Sequence, residues 1–214
     1  MTQPEAQALA PLTTLFDAAP GVAAPLPPAL AALYGRLAFP EAGRPWVISN
    51  FVSSIDGVVA FSDPVPPGQR EISASNPHDR AVMGLLRAMA DAIIVGAGTL
   101  RSVPRHLWTA QFIYPPLAEA YTALRVALGK PPRSATVIVS GSGAVETTLP
   151  IFQREDANTL LLTTAAGMAR LAGRSLGPGA HAQAVAGIDT ATSEIAARAV
   201  HAATVAALAE DVRG

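Results

Sequence analysis

Short apolar runs that alternate with helix-like stretches constrain the fold of this chain more than any other sequence feature. The runs AIIV, VIVS, TLLLTT and HAQAVA are each followed or preceded by a stretch of helical character. Most of them carry apolar residues on both faces of a strand, so both faces must be covered in the folded protein. Parallel sheets with helices on each side provide that cover. The sequence therefore predicts an α/β fold with a mostly parallel sheet flanked by helices.

The helix after the first strand-like region carries the clearest start signals. In SNPHDRAVMGLLRAMADA, Asn76 is predicted to be the N-cap, Pro77 suits the first helical position, and Asp79 complements the helix dipole. Apolar residues at helical spacing define its predicted buried face: Val82, Leu85, Leu86 and Met89. Three further helices are predicted, in PPLAEAYTALRVALGKPP, AAGMARLAG and SEIAARAVHAATVAALAEDV.

The first part of the chain has a different composition. Residues 1–43 are rich in alanine and proline, which permits one short helix around Pro28–Leu37 and predicts no sheet. We interpret this segment as an arm that packs on a main domain spanning 44–214. The residue pattern changes after Pro45, where WVISNFVSS has the apolar and polar pattern of a strand.

Composition excludes several classes of function. The net charge is −1 and the basic residues are scattered singly, so the electrostatic footprint of nucleic-acid binding is missing. The chain has no cysteine, and its four histidines show no metal-ligand spacing, so no metal site is predicted. No apolar run approaches the roughly 18 residues of a membrane helix, and the first residues do not form a signal peptide. We expect a cytoplasmic protein with no nucleic-acid or membrane partner.

A glycine-spaced turn follows the first of the buried strands. Gly96, Ala97 and Gly98 come directly after AIIV, and Thr99 places a hydroxyl next to them. At the carboxyl end of a parallel strand, glycines let a phosphate approach the backbone N–H groups of the following helix. A turn of purely structural purpose is the alternative interpretation.

Two later strands end in the same kind of residue. Ser140 and Gly141 follow VIV, and Thr163 and Thr164 follow TLLL, so three strands end in glycine or hydroxyl residues. Such a row of strand ends suits the phosphates of a dinucleotide. The acidic residue that holds a ribose 2′-hydroxyl is absent at its usual spacing, which favours NADPH over NADH, with the hydroxyls of Ser140 and Ser142 as donors to the 2′-phosphate. The alternative is that these hydroxyls cap the helices that follow.

Two stretches give the chain a resemblance to a known family. NFVSSIDGVVA and HDRAVMGLLRAMADAIIVGAGTLR, in that order, resemble the reductase domain of riboflavin biosynthesis, which has a dihydrofolate-reductase-like fold. The resemblance covers roughly residues 45–165. It implies a homodimeric enzyme that transfers hydride from NADPH to a phosphoribosylamino-pyrimidine. Dihydrofolate reduction is one alternative, and a non-catalytic nucleotide-binding or assembly module is another.

The resemblance also implies roles for individual residues. It assigns two sets to the cofactor, the backbone of Val58 and Ala60 and the three strand ends Gly96, Ala97, Gly98, Thr99, Ser140, Gly141, Thr163 and Thr164. It assigns Asn50, Ser54, Asp56, Ser73 and Arg87 to the substrate, with Arg87 on its phosphate. Asp56 in a simple turn and Arg87 as a solvated surface group are the alternatives. No catalytic acid or base is assigned, because water can donate the proton.

Departures from the family pattern affect the predicted substrate more than the predicted fold. Many relatives have a basic residue where this chain has Val58, and an acidic residue before the proline where it has Ser102 and Val103. The chain also ends at EDVRG, where the family continues into a strand, a glycine pair and closing strands. Either the sequence is a fragment without the C-terminal strands, or the chain has lost part of its site and exposes a sheet edge, and we expect a fragment.

Overall fold

The protein is described from a computed structural model, which covers residues 9–17, 21–39, 46–58, 73, 76–188 and 193–211. Its contacts divide the chain into two compact units. The first comprises Met1–Met89 and Thr109–Pro132, and the second comprises Ala90–Trp108 and Arg133–Gly214. The predicted boundary between an arm of residues 1–43 and a domain of residues 44–214 stays a prediction.

The described residues form both helices and strands. In chain order they are β1 Val22–Ala23, α1 Pro28–Tyr34, β2 Ala38–Phe39, α2 Pro77–Met89, β3 Ala92–Gly96, α3 Ala97–Ser102, α4 Ala110–Ile113, a 3-10 turn at Pro115–Leu117, α5 Ala118–Ala127, β4 Ala135–Ser140, α6 Pro150–Gln153, β5 Thr159–Thr163, α7 Ala165–Leu171, β6 Ala180–Ala184 and α8 Ser193–Asp211. None of the helices in the described residues has the length and apolarity that crossing a bilayer requires.

The second unit contains the predicted parallel sheet. Its strands lie in the order β3-β4-β5-β6, and all three pairings are parallel. Alternate side chains separate into two cores, because Ile138 and Leu161 pack on one face while Val137 and Leu160 pack on the other. Helices α3 and α7 contribute to the first core through Leu100 and Leu171, and α8 contributes to the second. The α/β prediction with helices on both sheet faces is confirmed.

The core of the first unit, within the residues that the structure describes, is built from helices. Helices α1, α2, α4 and α5 share one core, built around Leu30, Leu85, Tyr121 and Leu124. The Asn76 side chain accepts from the backbone N–H of His78 at 2.9 Å, as the capping prediction requires. The buried face of α2 differs from the predicted one, because only Leu85 of the four predicted apolar residues is fully buried. The other buried residues are small: Ala81, Gly84 and Ala88.

Small residues are buried on α2 because α5 approaches it closely. The Tyr121 ring lies against Gly84, and the Tyr121 hydroxyl donates to the Ala81 carbonyl at 2.9 Å. Sequence periodicity ranks large apolar residues first, so it does not detect a face selected by close approach of a neighbouring helix. The larger residues Val82 and Met89 pack at the margin of the same core.

Two strand predictions are wrong. The first concerns WVISNFVSS: within the described residues 46–58 no strand forms, and Trp46, Val47, Ile48 and Phe51 are exposed. Alternation identifies a segment that fits a pleated surface, but a strand also needs a neighbouring backbone, which periodicity does not specify.

The second error concerns the alanine- and proline-rich segment, for which no sheet was predicted. Strands β1 and β2 pair antiparallel there, with Val22 opposite Phe39. Gly21 permits this pairing, because a Cβ at that position would lie 2.7 Å from the Phe39 carbonyl oxygen. Helix α1, predicted around Pro28–Leu37, connects the two strands in the chain and ends at Tyr34.

Candidate functional site

Three neighbouring strand ends form one edge of the sheet in the second unit. Gly96 at the end of β3 is in register with Val139 of β4, and Ser140 at the end of β4 is in register with Thr163 of β5. Because the strands are parallel, the segments that follow them leave the sheet on the same side. The structure therefore brings together the three strand ends that were identified from the sequence.

The glycine turn after β3 presents open backbone. Gly96, Gly98 and Thr99 are exposed, and α3 begins at Ala97. Among the described residues, a Cβ added to Gly96 would meet no atom within 4 Å, and one added to Gly98 would meet only Nη2 of Arg101, at 3.9 Å. The Thr99 hydroxyl makes no hydrogen bond with any residue that the structure describes. These groups are accessible to a ligand at the edge of the sheet.

The hydroxyls after β5 are largely used within the protein. Thr163 is fully buried, and its hydroxyl donates to the Ser140 carbonyl at 2.6 Å. The Thr164 hydroxyl donates to the Gly141 carbonyl at 2.8 Å and accepts from the Gly167 N–H at 3.0 Å, which makes Thr164 the N-cap of α7. The capping interpretation of the sequence is therefore observed at Thr164.

The cap also joins two loops. Removing the hydroxyl in Thr164→Ala leaves both the Gly167 N–H and the Gly141 carbonyl without this partner. We expect the free energy of unfolding to fall by about 1 kcal/mol, which is typical for the loss of an N-cap. Urea denaturation measures the difference, and Thr164→Ser, which keeps the hydroxyl, serves as the matched control. Equal stability of the Ala and wild-type proteins would contradict the expected contribution of the cap.

A pocket of about 210 Å³ lies next to the glycine turn, within the second unit. Helix α3 forms one side of it, and the segment between β4 and α6 forms the other. The lining residues are Ala97, Leu100, Arg101, Pro104, Ala144, Val145, Glu146 and Leu149. No role was predicted from the sequence for Arg101 or Glu146. For Arg101 the sequence contained one usable signal, its position in the first turns after the glycines. For Glu146 it contained none.

Glu146 is held by its own turn. Its Oε1 accepts from the Thr148 hydroxyl at 2.9 Å and from the Thr148 N–H at 3.2 Å. These hydrogen bonds, the hydroxyl first, lower the pKa of Glu146 below its ordinary value, so the side chain carries a negative charge at neutral pH. The pocket therefore has a carboxylate on one side and a guanidinium, that of Arg101, on the other.

In the first unit, the predicted substrate residues Ser54 and Asp56 belong to a tight turn. The Ser54 N–H donates to the Val58 carbonyl at 2.9 Å, and Gly57 has a φ of +86°, which suits glycine. The Ser54 hydroxyl donates to the Asp56 carboxylate, and this bond is the largest cause of the lowered pKa of Asp56. The turn interpretation of Asp56 is observed, and its role toward a substrate stays a prediction.

The other residues of the first unit that were predicted to bind substrate or cofactor are Arg87, Asn50, Ser73 and Ala60. Arg87 lies in the last turn of α2, is partly buried, and has its pKa lowered to about 10 by desolvation. It therefore remains cationic near neutral pH, as a phosphate partner must. Asn50 is exposed, Ser73 is partly buried, and Ala60 lies outside the described residues.

The comparisons with known proteins agree with this architecture. The family model described as RibD C-terminal domain matches residues 45–191, which is more than half of the chain. The match extends beyond the 45–165 region of the resemblance and includes all three strand ends. A search of curated proteins found no significant match. The parallel sheet with helices on both faces is consistent with the dihydrofolate-reductase-like fold of that family. The chain belongs to the RibD C-terminal domain family.

Proposed function

We propose that this protein is an NADPH-dependent reductase that transfers hydride to a phosphoribosylamino-pyrimidine. Membership of the RibD C-terminal domain family supports a reductase-like role in the riboflavin pathway, and the family is generally NADPH-dependent. The observation that carries the proposal is the row of three aligned strand ends, which open parallel sheets use for binding ligands.

The residues at this edge fit a dinucleotide. The added Cβ atoms at Gly96 and Gly141 meet nothing within 4 Å, so a phosphate can approach the backbone there without a clash. The exposed Thr99 hydroxyl offers a donor beside the same turn. Bound NADPH would supply the hydride, and the protein's part is to hold donor and acceptor in alignment.

The hydroxyls of Thr163 and Thr164 support the site indirectly. Because Thr163 and Thr164 donate to the carbonyls of Ser140 and Gly141, they fix the path of the backbone after β4. We propose that they position the edge rather than contact the cofactor directly. Ser140, which is 5% exposed, then contributes mainly through its backbone.

Arg87 is the proposed partner of the substrate's phosphate. A guanidinium that is partly desolvated and still cationic forms stronger hydrogen bonds to phosphate than a fully solvated one. Arg87→Ala is expected to raise the KM for the phosphorylated substrate about 10- to 100-fold, the typical effect of losing a charged hydrogen bond. The Kd for NADPH should stay unchanged. An unchanged KM would remove the phosphate assignment.

Two measurements test the function itself. Trp108 is buried in the same core as Ala97, Leu100 and Val145, so its fluorescence reports on the glycine turn. Titration of NADPH into Trp46→Phe protein isolates that signal from the exposed Trp46. Absence of both quenching and calorimetric heat at millimolar NADPH would reject the reductase and favour a binding or assembly module. NADPH oxidation with the aminopyrimidine phosphate, compared with dihydrofolate, then identifies the substrate class.

A homodimer is part of the same proposal. Sedimentation equilibrium of the purified chain measures it directly, and a monomer at micromolar concentration would contradict it.

A further inference from the structure

The pocket beside the glycine turn is lined by both apolar and charged side chains. Leu100, Val145 and Leu149 supply apolar walls, while Arg101 and Glu146 supply opposite charges at its margin. Its volume of about 210 Å³ is below the roughly 300 Å³ at which pockets for whole drug-sized ligands begin. The pocket is therefore suited to one end of a larger ligand that also extends along the sheet edge.

Arg101 is the cationic group of this pocket. Its side chain is exposed, and it makes no hydrogen bond or ion pair with any residue that the structure describes. Its Nη2 lies 3.9 Å from the Cβ position of Gly98, so the guanidinium stands beside the open turn. A planar guanidinium with free donors matches a phosphate in both charge and geometry.

Glu146 restricts the ligands that fit. Its Oε1 is engaged by Thr148, and a charged carboxylate at the margin of the pocket accepts hydrogen bonds and repels a bare anion. The favoured ligand must therefore offer a phosphate to one side and hydroxyl or amino donors to the other. A nucleoside that is phosphorylated on its ribose has both kinds of group.

We propose that this pocket binds the 2′-phosphorylated adenosine end of NADPH and that Arg101 is the residue that selects it over NADH. The inference rests on the proposed function and refines it at one residue. It differs from the sequence-based assignment of the 2′-phosphate to Ser140 and Ser142. Ser140 is buried, and Ser142 offers one hydroxyl, which also accepts from the Ala144 N–H at 3.3 Å, whereas the Arg101 guanidinium offers several donors and a positive charge.

The test compares two ligands that differ only in the 2′-phosphate. Calorimetric titration of the full chain with NADP⁺ and NAD⁺ gives a Kd for each ligand without turnover. Arg101→Gln is expected to weaken NADP⁺ binding about 10- to 100-fold, the effect of losing a charged hydrogen bond, and to leave NAD⁺ binding unchanged. Arg105→Gln is the matched control, because Arg105 is also exposed but does not line the pocket.

A second variant tests the sign of the electrostatic effect. Glu146→Gln removes the negative charge and keeps the side-chain shape, so NADP⁺ binding should strengthen about 2- to 5-fold, in the range of exposed charge pairs. The effect on NAD⁺ should be smaller, because NAD⁺ lacks the 2′-phosphate.

The outcomes separate the inference from the function on which it rests. If Arg101→Gln weakens both ligands equally, or neither, the selecting role of Arg101 is overturned while dinucleotide binding stands. If the wild-type chain binds neither ligand, the proposed function fails and this inference fails with it. Preference for NADP⁺ in the wild type, lost in Arg101→Gln and kept in Arg105→Gln, is the supporting result.

Discussion

Gly143→Ala is expected to lower the free energy of unfolding by about 3 kcal/mol, from positive-φ strain and overpacking together. Gly143 has a φ of +65°, a conformation that side chains rarely adopt. A Cβ there would also lie 2.5 Å from the Gly167 carbonyl oxygen and 2.8 Å from Cα of Gly167. Both contacts are with backbone, so no side-chain rotation can relieve them. Urea denaturation of the full chain measures the loss.

Gly141→Ala is the matched control in the same loop. Gly141 is exposed, its φ is not positive, and an added Cβ would meet nothing within 4 Å. Its stability should lie within about 0.5 kcal/mol of the wild type, as for most surface substitutions. Equal effects at positions 141 and 143 would show that the approach of the loop to Gly167 does not stabilise the fold. A large loss at 143 alone supports the combined contribution of the positive φ and the approach to Gly167.

Gly84→Ala is the second substitution with a large expected effect, and two physical arguments give it opposite signs. Helix propensity alone predicts that replacing a glycine inside α2 with alanine stabilises the protein by about 1 kcal/mol. The tertiary structure predicts a loss of about 2 kcal/mol, in the range of overpacked cores. The reason is that the new Cβ would lie 2.5 Å from the Tyr121 oxygen and 2.6 Å from its Cζ.

The Tyr121 ring cannot move away easily. It is fully buried, and its hydroxyl is fixed by the hydrogen bond to the Ala81 carbonyl. A double-mutant cycle with Tyr121→Leu separates helix propensity from overpacking, because leucine has no ring to contact the new Cβ at position 84. In the Tyr121→Leu background, Gly84→Ala should become neutral or stabilising. A stabilising Gly84→Ala in the wild-type background would reject the close packing of α2 and α5.

The candidate site was only partly accessible to sequence reasoning. Gly96, Gly98 and Thr99 were singled out from the sequence because a turn after a buried strand is a local pattern, and the structure leaves all three exposed. Thr163 has the same residue type as Thr164, yet its hydroxyl is buried and donates across to β4. Residue type alone does not distinguish a donor that faces solvent from one that is used internally.

Tertiary structure also added residues to the site. Arg101 and Glu146 belong to segments far apart in sequence, and only the folding of the second unit places them on one pocket. Arg101 ends one of the two stretches that carry the family resemblance and Glu146 lies outside both, and no periodicity or spacing indicates that they meet. The unpaired state of Arg101 within the described residues is likewise a property of the folded chain.

The sequence by itself determined the α/β class, the four parallel strands, helices α7 and α8 of the second unit, and the glycine and hydroxyl composition of the three strand ends. These features follow from hydrophobic periodicity, helix caps and turn residues, all of which act over a few neighbouring positions. Tertiary structure alone decided that segment 46–54 forms no strand, that α2 buries small residues against Tyr121, and which hydroxyls remain accessible. Each of these outcomes depends on a partner distant in sequence, and the identity of that partner is set by packing of the whole unit rather than by local preference.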